Sequence, residues 1–357
     1  MADILISGAS GFIGRWLCRT LTQQGHTVYA LLRDPSQLPK LREQCTQLGG
    51  RGEALHGIHG DIRQPLWGLN EPQRWQTIYH LAAQFAWHLS AHTARASNVQ
   101  GSLHAVDLAA QQDARLILIG GFMACNTDYL AELGIDPQQP ERSDWPALYR
   151  RTGAYEASKL EGLFRAQAYA HEREVALTCV HPATVCGDAQ HGQVPVEQPF
   201  AQLLQALQKK RLRAVPGSPA HWLPLVSADS LAALLASLVN VPAEQAPPQL
   251  LAMDPQTPAL GELLQQLAGA LSVPAPRGYV PLRLLDGLLR LPLLARYLMT
   301  SREGLAFIRR ERLTDAYQAT ARYMQAQALH WPILSDCLAR SAQYALAQTA
   351  GIKKPGQ

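Results

Sequence analysis

The chain has 357 residues, 47% of them hydrophobic, and a formal net charge of only +4. This composition can bury a large core, and the length suits one larger domain with a smaller companion. The dense basic runs at 209–213 and 309–312 have no interleaved aromatic residues, so we do not expect nucleic acid as a partner. No apolar stretch reaches the roughly 20 residues that a membrane-spanning helix needs.

The cysteines lack the spacing of a metal site or a redox motif. They are Cys18, Cys45, Cys125, Cys179, Cys186 and Cys337. Several lie in apolar runs, which predicts reduced core residues in a cytoplasmic protein. The first predicted strand follows Met1 directly and leaves no room for a signal peptide. His88 and His92 are four residues apart but lack the acid of a zinc-binding helix motif, so we expect no metal.

In the first half of the chain, short apolar segments alternate with helical patterns. This alternation predicts an α/β fold with a doubly wound parallel sheet. The predicted strands cover 4–6, 27–32, 54–59, 77–81, 116–119 and 176–181. The predicted helices between them cover 12–18, 36–48, 93–112 and 153–172.

The second half of the chain consists of proline-rich loops and helical patterns. Helices are predicted at 199–211, 228–240, 259–271, 282–298, 303–308 and 314–329, with a frayed end at 351–357. The predicted domains are residues 1–182 with a return segment near 222–240, and a smaller, mostly helical substrate domain formed by 183–221 and 241–357. The leucine-rich stretch 281–297 fits an amphipathic helix. A hydrophobic lid and a peripheral membrane contact are the less favoured alternatives for this stretch.

Three glycines spaced three apart follow the first predicted strand. Gly8 permits a tight turn, Gly11 lets the backbone approach phosphates, and Gly14 lets the next helix pack closely on the strand. A strand, a glycine turn and a helix in this order direct backbone N–H groups and the positive helix end at one point, which suits a pyrophosphate. The sequence therefore predicts a Rossmann-type dinucleotide site with contacts from Gly8, Ser10, Gly11, Phe12, Ile13 and Gly14.

The ends of the next strands add candidate cofactor residues. Arg33 lies at the end of the second strand with Asp34 one step beyond. Arginine at this place pairs with a 2′-phosphate, whereas an acid takes ribose hydroxyls, so NADP(H) is favoured over NAD(H). After the third strand, Asp61 is predicted to bind the adenine amino group, with Ile62 beside it. Small residues after the fourth strand let the chain pass close to a nucleotide, and these contacts are Leu81, Ala82 and Ala83.

Tyr155 and Lys159 are four residues apart at the start of a predicted helix, so they share one helix face. A nearby ammonium favours the phenolate, which predicts a lowered tyrosine pKa and a role in acid–base chemistry at a carbonyl or alcohol. The lysine is also a candidate for holding the nicotinamide ribose. A surface tyrosine–lysine pair is the alternative. The glycine loop about 140 residues upstream argues against that alternative, because one family has this separation.

That family is the extended short-chain dehydrogenase/reductase superfamily, which the chain resembles over nearly its whole length. In chain order the matching segments are Gly8–Gly14, Asp61-Ile62, His80–Ala83, Asn98–Ser102, Tyr155–Lys159, His181–Gly187 and Val226–Asp229. The resemblance implies that His181, Pro182 and Thr184 contact the cofactor, and it suggests a homodimer. Two further segments, Gly60–Leu69 and Gly187–Gly192, are similar to the fatty acyl and thioester reductase branch.

One departure from the family pattern concerns the chemistry. The family has a serine or threonine after the fifth strand, whose hydroxyl binds the substrate oxygen, and here the usual serine pair is Gly120-Gly121. Losing such a donor costs on the order of a hundredfold or more in rate. Thr127, Asn126 or a backbone N–H is a candidate replacement. The vacated space is otherwise room for a bulkier substrate, or the reduction is impaired.

The sequence favours an NADP(H)-dependent oxidoreductase that reduces a ketone, aldehyde or acyl thioester of a hydrophobic small molecule. In this hypothesis Tyr155 donates the proton and Lys159 lowers its pKa. The alternatives are a nucleotide-sugar epimerase or dehydratase with tightly bound NAD, and a dinucleotide-binding protein without redox turnover. Arg33 and the leucine-rich second half argue against the first alternative, and only Gly120-Gly121 motivates the second.

Overall fold

A parallel sheet forms the centre of the protein. The structure, a computed structural model, describes residues 1–69, 73–83, 90–194, 198–291 and 302–351. Its strands are β1 (Asp3–Ser7), β2 (Thr27–Leu32), β3 (Leu55–His59), β4 (Thr77–His80), β5 (Arg115–Ile119), β6 (Leu177–Pro182), β7 (Thr184–Cys186), β8 (Val215–Pro216), β9 (Leu225–Ser227), β10 (Gln249–Ala252) and β11 (Tyr279–Val280). Seven of these form one sheet in the order β10-β6-β5-β4-β1-β2-β3.

Helices connect and cover the strands. Within the described ranges they are α1 (Phe12–Gln23), α2 (Leu38–Gln47), α3 (Ala91–Ala94), α4 (Gln100–Gln112), α5 (Thr127–Leu133), α6 (Trp145–Thr152), α7 (Ala154–Glu172), α8 (Pro199–Gln208), α9 (Ala228–Ser237), α10 (Leu260–Ala270), α11 (Leu282–Leu288), α12 (Arg302–Ala306), α13 (Thr314–Ala326) and α14 (Leu334–Gly351). A π-helical segment, Arg95–Val99, joins α3 to α4.

The predicted doubly wound sheet is confirmed, and its six predicted strands are β1 to β6 within one or two residues. Apart from the edge strand β3, which is mostly exposed, these strands are largely buried because both faces of a parallel sheet are covered. All five residues of β5 are buried, and the middle of β1 is fully buried. The sheet also contains β10, which pairs at its edge beside β6 and is not predicted from the sequence, and neither are the helices α5, α6 and α14. The predicted helix at 282–298 is described only as α11, because residues 292–301 lie outside the described ranges.

The chain divides into two compact units, and each is described by itself. The first unit comprises Met1–His181, Ala232–Ala252 and Asp315–Leu329. The sequence had assigned 315–329 to the substrate domain and had set the return segment near 222–240. Residues 315–329 belong with the sheet because the backbone N of Leu251 in β10 donates to Oγ1 of Thr320 in α13 at 2.8 Å.

The second unit comprises Pro182–Leu231, Met253–Thr314 and His330–Gln357. It contains two small two-stranded sheets, β7 with β9 and β8 with β11. Its core is formed by the apolar faces of α8, α10 and α14. Cys337 and Leu338 of α14 are almost completely buried there. No helix in the described ranges is long and apolar enough to cross a membrane.

Candidate dinucleotide and catalytic site

The glycine loop between β1 and α1 has the close contacts that its sequence predicts. Gly8 has a φ of +75°, and a Cβ there would lie 2.8 Å from the backbone N of Ala82. A Cβ at Gly14 would lie 2.2 Å from the carbonyl oxygen of Gly8. Both positions therefore require glycine. Gly11 precedes α1 and provides no side-chain cap, so the amides of the first helical turn are open to a ligand, and Ser10 and Gly11 are exposed.

The end of β4 lies directly beside this loop, which brings the predicted Leu81–Ala83 segment to it. The backbone N of Leu81 donates to the carbonyl oxygen of Ser7 at 3.2 Å. Oγ of Ser7 is 2.7 Å from Nδ1 of His80, and both side chains are buried. Burial, with a contribution from Lys159, lowers the pKa of His80 to about 3, so this imidazole is neutral.

Arg33 and Asp34 have different surroundings at the end of β2. The Asp34 carboxylate accepts a hydrogen bond from the backbone N of Ser36 at 3.0 Å and caps the turn that follows. Hydrogen bonds from Ser36, first from its side chain and then from its backbone, lower the pKa of Asp34. Arg33 is exposed at the same strand end. The acid that would take ribose hydroxyls is therefore bound to its own loop, while the cation is available to a ligand.

Asp61 binds an arginine that the sequence analysis did not single out. Its carboxylate accepts from the backbone N of Arg63 at 3.0 Å and from the guanidinium Nε at 3.0 and 3.1 Å and Nη2 at 2.5 Å. These bonds lower the pKa of Asp61. The side chain of the neighbouring Ile62 packs against Gly101 of α4.

Helix α7 places Tyr155 and Lys159 near the carboxyl end of β5. Nζ of Lys159 donates to the carbonyl oxygen of Ile119 at 2.7 Å. Burial lowers the pKa of Lys159 to about 8, with an opposing effect of Cys179. Burial, and next the Glu156 carboxylate, raises the pKa of Tyr155 to about 12. The predicted lowering of the tyrosine pKa by Lys159 is therefore wrong for this structure, because the effect of burial dominates.

Polar contacts fix α7 in this position. Glu161 is fully buried and accepts hydrogen bonds from Arg95 at 2.8 Å and from the hydroxyl of Tyr149 at 2.9 Å. Nδ2 of Asn98, in the π-helical segment, donates to Oγ of Ser158 at 2.9 Å, and Ser158 donates in turn to the carbonyl oxygen of Tyr155. The start of α7 is thus tied to two other elements of the first unit.

Gly120 and Gly121, which replace the family's serine pair, differ in the space around them. A Cβ at Gly120 would lie 2.4 Å from Nδ1 of His181 and 3.4 Å from Cδ2 of Leu163. A Cβ at Gly121 would meet no atom within 4 Å. The imidazole of His181 thus fills the space that a side chain at position 120 would need.

His181 is 1% exposed, and neither ring nitrogen has a hydrogen bond of normal geometry within the described residues. Burial, and next the charge of Lys159, lowers the pKa of His181 to about 4, against an opposing effect of the Gly121 backbone. Of the three cofactor contacts implied at and after the end of β6, only His181 lies in the first unit. Pro182 and Thr184 belong to the second unit, where Thr184 pairs with Leu225 in β7 and β9.

The candidate replacements for the serine hydroxyl also have structural positions. Asn126 is buried and caps α5 by accepting from the backbone N of Tyr129 at 3.0 Å. Thr127 is exposed in the first turn of α5. His92 is exposed on α3, whereas His88 lies outside the described residues. Within the described ranges, no group of three metal-ligating side chains comes together.

The residues present fit a dinucleotide. The parallel strands β1, β2, β4 and β5 all end at one edge of the sheet. At that edge the glycine loop follows β1, Arg33 follows β2 and Leu81–Ala83 follows β4, while Lys159 contacts the last residue of β5. Gly8 and Gly14 show close backbone approach at the loop, the backbone N of Gly11 donates to the carbonyl oxygen of Gly8 at 3.0 Å, and α1 begins directly after it without a side-chain cap. Two groups missed by sequence, Arg63 and the His80–Ser7 pair, also lie at strand ends.

The family model described as "NAD dependent epimerase/dehydratase family" matches residues 4–251. This match covers more than half of the chain. The chain belongs to this family. Membership confirms the predicted place in the extended short-chain dehydrogenase/reductase superfamily, whose enzymes bind an NAD(P) cofactor.

Curated relatives match shorter segments. A dihydroflavonol 4-reductase of Gerbera hybrida is 35% identical over an alignment of 75 residues that covers 16% of this chain and 20% of that protein. A cinnamoyl-CoA reductase of Medicago truncatula is 32% identical over 82 residues, 23% of this chain and 25% of that protein. The name of a relative from Synechocystis sp., 28% identical over 193 residues, also refers to dihydroflavonol 4-reductase. The chain matches half or less of the length of each relative.

Solved structures match the whole chain. The terminal R domain of the myxalamid PKS-NRPS pathway has a TM-score of 0.75 at 19% identity, covering 100% of this chain and 93% of that one. The reductase domain of the aureusimine biosynthetic cluster has a TM-score of 0.68 at 17% identity, with 97% and 90% covered. At such identities the similarity establishes the fold alone.

Proposed function

We propose that the protein is an NADP(H)-dependent reductase of a carbonyl group on a hydrophobic small molecule, a ketone, aldehyde or acyl thioester. The observation that carries the proposal is the contact of Lys159 with Ile119, which holds the Tyr155–Lys159 pair at the sheet edge that bears the glycine loop. The names of the curated relatives support reduction, because they are a dihydroflavonol 4-reductase and a cinnamoyl-CoA reductase.

The first unit offers matching residues for each part of NADP(H). The amides in the first turn of α1 would hold the pyrophosphate, and Arg33 would bind the 2′-phosphate. The cap formed by Asp34 supports NADP(H) over NAD(H), since that carboxylate is not directed to a ribose. Lys159 would hold the nicotinamide ribose. When bound, the reduced cofactor supplies a hydride.

The protein's own acid–base chemistry suits the direction of reduction. A phenol with a pKa near 12 is protonated at neutral pH, so Tyr155 is in the form that donates a proton to the carbonyl oxygen. Below about pH 8, Lys159 carries a charge, which suits its proposed contact with the ribose hydroxyls. The reverse reaction would need the phenolate, which burial disfavours.

The cofactor is tested by fluorescence titration of the purified protein with NADPH and NADH. NADPH should bind about tenfold or more tightly, the value of one charge-assisted contact. Arg33→Ala should abolish the difference. Arg51→Ala, an exposed arginine before β3, is the control and should preserve it. Equal affinities in the wild type, or NAD retained through purification, would favour the epimerase alternative.

The proton donor is tested with Tyr155→Phe in a panel of aldehydes, ketones and acyl thioesters. Loss of general acid catalysis should lower kcat by about a hundredfold or more. Tyr169→Phe is the matched control, because Tyr169 is on the same helix about 21 Å away and bonds to Asp107. Undiminished turnover in Tyr155→Phe would refute the assigned donor. NADPH binding without turnover of any substrate would support the non-catalytic alternative.

A further inference from the structure

Large apolar side chains are exposed close together in the segment 279–291 of the second unit. They are between 36% and 59% exposed, and they are Tyr279, Leu284, Leu288 and Leu291. Single exposed leucines are common on soluble proteins, whereas a group of them marks a surface that contacts another molecule. Three of the four follow each other at spacings of four and three on and just after α11, so they form one stripe along the helix.

Helix α11 packs on its own unit through a different face. Leu289 is 5% exposed, and Leu282 and Leu285 are half-buried. At 3.6 residues per turn, these positions lie roughly 120° around the helix from the exposed stripe. The helix is thus apolar on two faces, and its own unit covers one of them. A helix that is apolar on more than one face is normally buried on each, so the exposed stripe suits an apolar environment outside the unit.

Two arginines lie beside the exposed stripe. Arg283 and Arg290 are seven residues apart, so they project from the same side of the helix, and both are exposed. This side lies roughly 110° from the stripe, opposite to the buried face. Arginine at such a position keeps its apolar stem with the leucines while its guanidinium extends to polar surroundings.

Strand pairing brings further cations near the start of α11. The backbone N of Arg277, just before β11, donates to the carbonyl oxygen of Arg213, just before β8, at 2.9 Å. Both arginines are exposed. Arg277 is five residues before the first residue of α11, which is at most about 17 Å along the chain. The segment that leads to Arg213 also carries Lys209, Lys210 and Arg211.

Two acids reduce this positive charge. Asp286 of α11 is 37% exposed and pairs with Arg290 at 3.7 Å, and an exposed pair of this kind contributes little to stability. Glu262 of α10 is exposed and follows Gly261, where a Cβ would lie 2.9 Å from the hydroxyl of Tyr279. The segments 209–213 and 277–291 together have seven lysines and arginines, so an excess of positive charge remains.

This combination fits a lipid surface better than a protein. Protein interfaces are depleted in lysine and involve roughly 20–30 residues a side, more than this group supplies. Helices on a membrane surface combine an apolar stripe with lysine and arginine, which anionic headgroups attract. We propose that α11 and Tyr279 bind the surface of a bilayer that contains anionic lipids. The leucine stripe enters the boundary between headgroups and acyl chains, and the cations stay at the headgroups.

The test is sedimentation of the whole protein with lipid vesicles, without cofactor or substrate, so its result does not depend on the proposed activity. The wild type should bind vesicles of equal parts phosphatidylglycerol and phosphatidylcholine about tenfold or more tightly than vesicles of phosphatidylcholine alone. Sodium chloride at about 0.5 M should remove most of this difference, because it screens the charges.

The apolar contribution is tested with the double variant Leu284→Gln, Leu288→Gln. It should bind the anionic vesicles about tenfold or more weakly, because two side chains no longer leave water. Leu346→Gln is the matched control, since Leu346 is a leucine of α14 with 42% exposure in a stretch, 341–350, that has no lysine or arginine. It should bind like the wild type. If thermal unfolding shows that the double variant is not folded, Leu291→Gln tests the same stripe.

The charges are tested with Arg283→Gln, Arg290→Gln, which should weaken binding to the anionic vesicles by about tenfold and leave binding to phosphatidylcholine unchanged. Failure of the wild type to bind anionic vesicles would refute the proposal, as would full binding by the folded leucine variant. Dimers of the wild type that the leucine variant loses, without vesicle binding, would assign the stripe to a second copy. A raised KM of the leucine variant for a hydrophobic substrate, with vesicle binding unchanged, would assign it to the substrate site. Both results would overturn the lipid assignment.

Discussion

At Gly120, a Cβ would lie 2.4 Å from Nδ1 of His181, well inside any normal contact. The imidazole is 1% exposed, and Cδ2 of Leu163 would lie 3.4 Å from the same Cβ. Gly121 has an extended backbone, with φ of −158°, and open space around it. A side chain at position 120 would therefore clash with His181, whereas a side chain at position 121 would enter open space.

We expect Gly120→Ser to destabilise the protein by about 1–3 kcal/mol through overpacking. Gly121→Ser should stay within about 0.5 kcal/mol of the wild type. Urea unfolding measures both. The double variant Gly120→Ser, His181→Ala should be more stable than the sum of the two single changes predicts, because the smaller residue makes room. Equal losses at 120 and 121, or strict additivity, would contradict the steric explanation.

Lys159 gives a pH dependence whose sign follows from its lowered pKa. Burial lowers the pKa of its ammonium from 10.5 to about 8, so between these values the unfolded chain binds more protons than the folded one. Its contribution to the free energy of unfolding therefore rises with pH through this window. Lys159→Met removes the titration while keeping most of the volume.

Comparing wild type and Lys159→Met by urea unfolding at pH 7, 8, 9 and 10 isolates this one group. Near pH 7 to 8 the wild type should be less stable than the variant. This difference in the free energy of unfolding should shrink as the pH rises from about 8 to 10.5. Other titrating groups cancel in the difference. A difference that is constant across this range would show that the ammonium is not desolvated.

At the scale of elements, the sequence predicts best what depends on local pattern. The strands β1, β2, β4, β5 and β6 are largely buried, as a parallel sheet requires, whereas the edge strand β3 is mostly exposed, and each of the six was predicted. The missed helices α5 and α6 are short, but they carry readable N-terminal signals, Asn126 and Asp144 as caps and Pro146 after the second. The missed α14 has buried residues at helical spacing, at Leu334, Cys337 and Leu338.

In the candidate site, too, features within one chain segment are predictable from the sequence, and contacts between distant segments are not. Motifs within one segment, such as the glycine loop and the Tyr155–Lys159 pair, were predictable because strand, turn and helix periodicity position them. The contact of His181 with Gly120 was not, because it depends on the alignment of two strands about 60 residues apart. The direction of the Tyr155 pKa was also missed, since burial is a property of the packed unit.

At the scale of the whole molecule, the chain passes between the two units several times. The first unit draws on Met1–His181, Ala232–Ala252 and Asp315–Leu329. The later segments supply acceptors for buried groups of the sheet. The hydroxyl of Tyr79, fully buried, donates to the carbonyl oxygen of Leu235 at 2.6 Å. Nη1 of Arg115, 9% exposed, donates to the carbonyl oxygens of Leu238 and Val241.

We therefore expect the fragment 1–181, which contains every predicted motif of the dinucleotide site up to His181, not to fold by itself. Without 232–252, the buried guanidinium of Arg115 and the phenol of Tyr79 lose their acceptors, and each unsatisfied buried group costs about 1–3 kcal/mol or more. The outer edge of β6 also loses the bond from Cys179 to Pro248. These losses approach the whole stability of a domain, about 5–15 kcal/mol. Thermal unfolding by circular dichroism and NADPH titration of the fragment check this against the full chain. A cooperative melt with undiminished NADPH binding in the fragment would show that the returning segments are dispensable.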